Sequence, residues 1–146
     1  MRDWARCEAD VVRLMNRHFT RGRGGARIQH VVVHYNDADG SVEDVWNWWH
    51  TRKASAHYQV ESSGRVGQLV WDRDTAWHAG DWQMNCRAIG IEVVSAGEDF
   101  SATEVEKLGW LVKKLMARYG IGASGVIRHY DVTGKLCPAP YVAACK

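Results

Sequence analysis

Residues 126–140 read VIRHYDVTGKLCPAP. A short apolar run ends at His129, a polar loop follows, and Lys135, Cys137 and Pro138 close it. One loop thereby offers an imidazole, an ammonium and a thiol. His129 and Cys137 lie eight positions apart, which misses a single helical face but suits the two ends of a loop. Such an N/S pair is half of a metal site, because zinc accepts both donor types and needs at least one further protein ligand. The plainer alternative is a strand-end histidine beside a buried cysteine that merely packs. The rest of the chain decides between them by supplying a third ligand or not.

Residues 28–34, IQHVVVH, carry a β-branched run bounded by turn residues and predict a central strand buried on both faces. His30 and His34 point to the same face, and His34 emerges at the carboxyl end, where ligands gather in open α/β sheets. This assigns the ligand role to His34 and a structural role to His30. Residues 88–94, AIGIEVV, predict a second buried strand with one charge, Glu92, inside it. A lone buried carboxylate is costly unless it is paired or functional. Residues 72–85 read as a long irregular loop, and its TAWHAGDW segment makes His78, between Trp77 and Gly80, a candidate substrate wall. An ordinary surface loop stabilised by aromatics is the alternative.

The remaining segments complete an α/β pattern. Trp4, Val11, Val12, Leu14, Met15 and Phe19 roughly follow a helical period, predicting an amphipathic helix over residues 3–19 and a flexible, Gly-rich link over 21–26. Ser41 caps a predicted helix over 42–51 that carries Trp46, Trp48 and Trp49, a cluster dense enough that part of it should line a groove. Residues 56–61 and 66–71 form a hairpin around a Gly-containing turn, in which His57 and Tyr58 face opposite sides. Ser101 and Glu104 form a capping box, and an apolar stripe runs from Val105 to Tyr119 before Gly120. The expected architecture is a single α/β domain: a central mixed β-sheet flanked by α-helices, preceded by an N-terminal helix and linker over 1–27.

Composition narrows the function. A chain of 146 residues, 46% of them hydrophobic, suits one globular domain. A net charge of +2 gives no footprint for nucleic acid, and Arg17, Arg21, Arg23 and Arg27 read as a solvated connector. Cys7, Cys86, Cys137 and Cys145 show no close pairing, which argues against a disulfide framework. The N-terminus lacks the apolar core of a signal peptide, and no segment reaches transmembrane length. Synthesis in the cytoplasm without membrane insertion is expected.

The strings HVVVHYN, SAHYQV, TAWHAG, AIGIEVV and RHYDVTGKLCP, in this order, resemble the zinc-dependent N-acetylmuramoyl-L-alanine amidases of the type-2 amidase and peptidoglycan-recognition-protein superfamily, especially phage and prophage endolysins. The resemblance covers residues 28–140 and places the catalytic domain over 28–146. It implies His34, His129 and Cys137 as Zn2+ ligands, Tyr58 near the metal, Lys135 as the cation that steadies an oxyanion, and Glu92 as a catalytic carboxylate. It puts His78, with Trp77 and Asn85, beside the substrate. Relatives differ in whether they use the Glu or the Tyr–Lys pair, so the general base is open between Glu92 and Tyr58.

The implied reaction is hydrolysis of the amide joining N-acetylmuramic acid to L-alanine in peptidoglycan. A three-ligand zinc with an open position lowers the pKa of water to roughly 7 and polarises a carbonyl. A lysin of this kind acts at the bacterial cell wall after release by a membrane-permeabilising partner, and a cell-wall-binding domain is either missing from this sequence or was never attached. The runner-up is a non-catalytic peptidoglycan-binding module, which superfamily members become on losing a ligand. A glycosidase would need paired carboxylates across a cleft, and Glu92 is the only credible member. A structural zinc domain would need a fourth protein ligand, which the sequence does not offer.

Overall fold

The apolar runs around His34 and Glu92 form adjacent parallel strands. In the computed structural model, which describes residues 9–142, the elements are β1 (Val11–Val12), β2 (Phe19–Thr20), β3 (His30–Tyr35), α1 (Val42–Thr51), β4 (Tyr58–Val60), β5 (Val66–Gln68), β6 (Thr75–Ala76), α2 (Trp82–Arg87), β7 (Ala88–Val93), α3 (Ala102–Tyr119), β8 (Val126–Arg128) and α4 (His129–Thr133). A mixed sheet runs in the order β1-β5-β4-β7-β3-β8, antiparallel only between β4 and β5. β2 and β6 form a separate antiparallel pair. This is the expected mixed sheet flanked by helices. No helix among the described residues is long and apolar enough to cross a membrane.

Parallel strands at the centre of a sheet are buried on both faces and need cover on each. α3 covers one face: Leu111 and Leu115 are fully buried against Val31, Tyr58, Ile89, Ile91 and Val93. The predicted capping box of Ser101 and Glu104 opens this helix, and Gly120 ends it at φ 66°. α1 covers part of the other face, where Val42, Val45 and Trp49 pack with Met15, Ala56 and Leu69. The approach is close, since a Cβ on Gly67 would stand 2.5 Å from a Val42 methyl. Register joins Gly67 to Gln59, Gln59 to Glu92 and Glu92 to His34, one row across the face that α1 shares with the site.

Several local expectations are corrected. Over residues 9–20 the predicted N-terminal helix is absent; its start, including Trp4, lies outside the described residues. Val11 and Val12 instead extend the sheet beside β5, with the Asp10 amide on the Val66 carbonyl (2.8 Å) and the Arg13 amide on the Gln68 carbonyl (2.9 Å). β-Branched side chains suit a strand, and an open sheet edge offers backbone partners that a weak helical period cannot match. The link over 21–26 is anchored rather than loose. Arg23 is buried, and its guanidinium donates to the carbonyls of Asp72 (2.7 Å), Cys86 (2.8 Å) and Ala88 (3.0 Å). Residues 9–27 therefore pack into the rest of the fold: β1 joins the main sheet, β2 pairs with β6 and Arg23 is buried. The 72–85 loop contains β6 and the start of α2, which Asp81 caps by accepting from the Met84 amide (2.8 Å).

Two glycines give opposite expectations. Gly67→Ala should lower stability by about 1–3 kcal/mol through overpacking against Val42. Gly109→Ala, mid-way along α3 with nothing near its would-be Cβ, should raise it by up to about 1 kcal/mol. Urea unfolding midpoints of the two variants check both signs.

Candidate active site

His34 and Glu92 stand opposite each other near the carboxyl ends of the parallel strands β3 and β7. β8 flanks β3 on its other side and passes directly into α4, whose first residue is His129. Cys137 returns on the following loop, which closes through the Tyr130 amide on the Cys137 carbonyl (3.0 Å). One donor atom from each of His34, His129 and Cys137 lies within 4.8 Å of the others, and all three residues are buried. His34 Nδ1 faces Cys137 Sγ at 3.6 Å and Glu92 Oε2 at 3.6 Å. Two imidazoles and a thiol converging in this way form a candidate metal centre whose donor set suits zinc.

A cleft of about 440 Å³ opens over this centre. Trp48, Trp49 and Arg52 from the end of α1, Trp77 and His78 from the β6–α2 loop, and Asn36, Glu92 and Lys135 contribute to its walls. Part of the tryptophan cluster thus lines a groove, while Trp46 packs with its Nε1 on the Leu14 carbonyl (3.0 Å). Trp77 is fixed by Nε1 donating to Thr20 Oγ1 (3.0 Å). Asn36 Nδ2 donates to Glu92 Oε1 (2.9 Å), and Gln59 Nε2 donates to Asn36 Oδ1 (2.6 Å), so the carboxylate is held from the sheet side.

Two sequence-derived site residues are not brought to the cleft. Tyr58 is fully buried on the α3 face, where its hydroxyl donates to Asp72 Oδ1. Strand alternation gives the site face to His57 and Gln59 instead. Asn85 does not line the cleft; its Oδ1 accepts from the amides of His78 (3.2 Å) and Ala79 (2.8 Å) and so fixes that loop. Asn36 and Gly90 escaped the sequence reading. Asn36 stands two positions beyond His34, hence on its face, and a glycine within the apolar run AIGIEVV marks a close approach to the strand.

A family profile described as N-acetylmuramoyl-L-alanine amidase matches residues 24–140. The chain belongs to the N-acetylmuramoyl-L-alanine amidase family. The amidase CwlL of Bacillus licheniformis is 28% identical over 148 residues, covering 88% of this chain and 41% of CwlL. The chain thus spans about two fifths of the length of that relative. Among solved structures, a mutant endolysin from Bacillus subtilis superposes with TM-score 0.75 at 25% identity, covering 92% of this chain and 93% of the endolysin. The Escherichia coli amidase AmiD, solved as a complex, gives TM-score 0.63 at 28% identity over 77% of this chain and 50% of AmiD.

The electrostatics of this amidase-family cleft follow from burial. Burial holds His34 well below the ordinary imidazole value, and His78, His129 and Lys135 add to it. His129 is lowered too, first by burial and then by Lys135, while its ring is hydrogen-bonded to the Ala79 backbone. Neutral imidazoles keep a lone pair for a metal. Burial pushes the Cys137 thiol up to about 12, with Glu92 adding to the effect, so the thiolate form calls for a nearby cation. Burial also pushes Glu92 up to about 8, against the opposing pull of the Asn36 hydrogen bond, Lys135 and Arg52.

The Glu92 shift carries a stability consequence. Its folded value of about 8 lies above the ordinary 4.5, so its contribution to the metal-free protein is complete below pH 4.5 and is lost as pH rises through about 8. Glu92→Gln should therefore gain stability on the parent over that window, by on the order of a few kcal/mol at its upper end. Denaturant unfolding of the chelator-treated proteins from pH 5 to pH 8 checks it; a pH-independent difference contradicts it.

Proposed function

We propose that this chain is a zinc-dependent amidase that cuts the bond between N-acetylmuramic acid and L-alanine in peptidoglycan, acting as a lysin. The convergence of His34, His129 and Cys137 beside Glu92, beneath an open cleft, is the observation that carries the reading. The relatives support the substrate and the role: AmiD was solved with anhydro-N-acetylmuramic acid-L-Ala-D-gamma-Glu-L-Lys, and the Bacillus subtilis neighbour is an endolysin.

His34, His129 and Cys137 would hold the zinc, which when bound supplies Lewis acidity toward the amide carbonyl and toward water. Glu92 takes the proton of the attacking water and delivers it to the departing alanine nitrogen. Its raised pKa suits a group that must both accept and return a proton near neutral pH. Asn36 fixes one carboxylate oxygen, leaving Oε2 toward His34 and the cleft. Lys135, on the cleft wall, offers positive charge to the oxyanion that develops on the carbonyl. Trp48, Trp49 and Trp77 give the sugar and stem peptide flat apolar surfaces. The burial of Tyr58, with its hydroxyl on Asp72, favours Glu92 as the base in this reading.

Digestion of purified peptidoglycan tests this, with new alanine amino termini and new reducing sugars measured separately. Alanine amines that vanish with chelator and return with zinc are expected, with no new reducing ends. Glu92→Gln and Cys137→Ser should each lower kcat/KM by at least about 100-fold, the usual scale for losing a proton-transfer group or a metal ligand. Wall material bound without any cleavage overturns the hydrolase reading in favour of a recognition module.

A further inference from the structure

The two ring nitrogens of His34 have different neighbours. Nδ1 faces Cys137 Sγ at 3.6 Å, on the side of the candidate metal, whereas Nε2 lies 3.0 Å from His78 Nδ1. A neutral imidazole that gives the Nδ1 lone pair to a metal carries its proton on Nε2. His34 is then the donor of that contact and His78 Nδ1 the acceptor, which leaves the proton of His78 on its own Nε2. We propose that His78 is a positioning residue of the metal centre: it fixes the tautomer and ring rotation of His34 and thereby sets the affinity of the site for zinc. The inference rests on the zinc reading above, and it adds a second role to a histidine expected to border the substrate groove.

The surroundings of His78 support this role. Its ring lies over Gly90, where a Cβ would stand 2.6 Å from Cγ and 2.8 Å from Cδ2, so only a glycine in β7 leaves room for it. Gly90 is paired with Val32, two residues before His34, so the seat of the ring and the ligand it meets belong to neighbouring strands in fixed register. The two imidazoles meet edge to face, with centroids 5.1 Å apart and planes at 89°. That geometry lets an in-plane N–H of one ring reach a lone pair of the other. The backbone of His78 is fixed independently by Asn85 Oδ1, which accepts from two successive amides. Below it, His57 Nδ1 accepts from the Gly90 amide (3.1 Å), and the His57 ring lies 6.0 Å from the His78 ring. A side chain 9% exposed, seated over Gly90 and with its backbone pinned by Asn85, is built to orient a neighbour rather than to follow a mobile ligand, although its Nε2 has no hydrogen-bond partner among the described residues. Outer partners of metal-bound histidines act in this way, and their loss costs roughly 10–100-fold in metal affinity.

The test is zinc affinity of the full chain, measured by competition with a chromophoric chelator. His78→Phe keeps a planar ring without an acceptor, while His78→Asn puts an amide oxygen close to the place of Nδ1. The expected result is zinc binding by the parent, roughly 10–100-fold weaker binding by His78→Phe, and recovery of most of that loss in His78→Asn. Equal affinities in parent and His78→Phe overturn the inference. Failure of the parent itself to bind zinc overturns the metal reading instead. Where His78→Phe does not fold, nitrogen-15 imidazole spectra of the zinc-loaded parent decide: a proton on His34 Nε2 facing a bare His78 Nδ1 supports the role, and the reverse arrangement overturns it.

Discussion

The pairing of β3 with β7 is the constraint on which the rest of the molecule depends. Parallel strands hold a fixed register through evenly spaced backbone hydrogen bonds, and here that register puts His34 beside Glu92. A one-residue slip would turn either side chain to the α3 face, into the packed layer of Ile91, Leu111 and Leu115. The chemistry is therefore tied to the same interaction that holds the core. The helices divide the two faces of this sheet between them. α3 covers one face mainly with apolar side chains, and α1 covers the other only in part, which leaves the strand ends open beside its last turn.

The site is built in layers from this sheet. His34 and Glu92 stand on strands, His129 on the first turn of a helix continuous with β8, and Cys137 on the loop that returns from it. Behind them lie Asn36 and Gln59 for the carboxylate, and His78 for the imidazole. Rigid elements thus supply most of the reactive groups, and amides donating to Asn85 hold the one loop that intrudes. Such support keeps reacting atoms in place without help from bound substrate.

Much of this was legible in the sequence, because it was written in local patterns. The cap at Ser41, the capping box at Ser101, the β-branched run before His34 and the lone charge in AIGIEVV each carry their meaning within a few residues. What was lost depended on distant partners. Residues 11 and 12 become a strand only because β5 presents a free edge some fifty positions later, and no helical periodicity reports that. Tyr58 matched a motif position, yet its face of the strand was decided by alternation from His57 and by the buried Asp72 that its hydroxyl meets. Arg23 looked like one of several exposed charges until folding brought three carbonyls to it.

The anchoring of Arg23 and β1 bears on where this domain can be cut. The family profile begins at residue 24, so a truncation drawn at that boundary removes β1, β2 and the guanidinium that gathers the carbonyls of Asp72, Cys86 and Ala88. The shortened chain would keep every metal-site residue named above but expose the backbone of β5 along an unprotected edge, a template for pairing between copies. Self-association, rather than loss of the metal centre, is the failure such trimming invites, and any fusion of this domain to another module should begin upstream of Asp10.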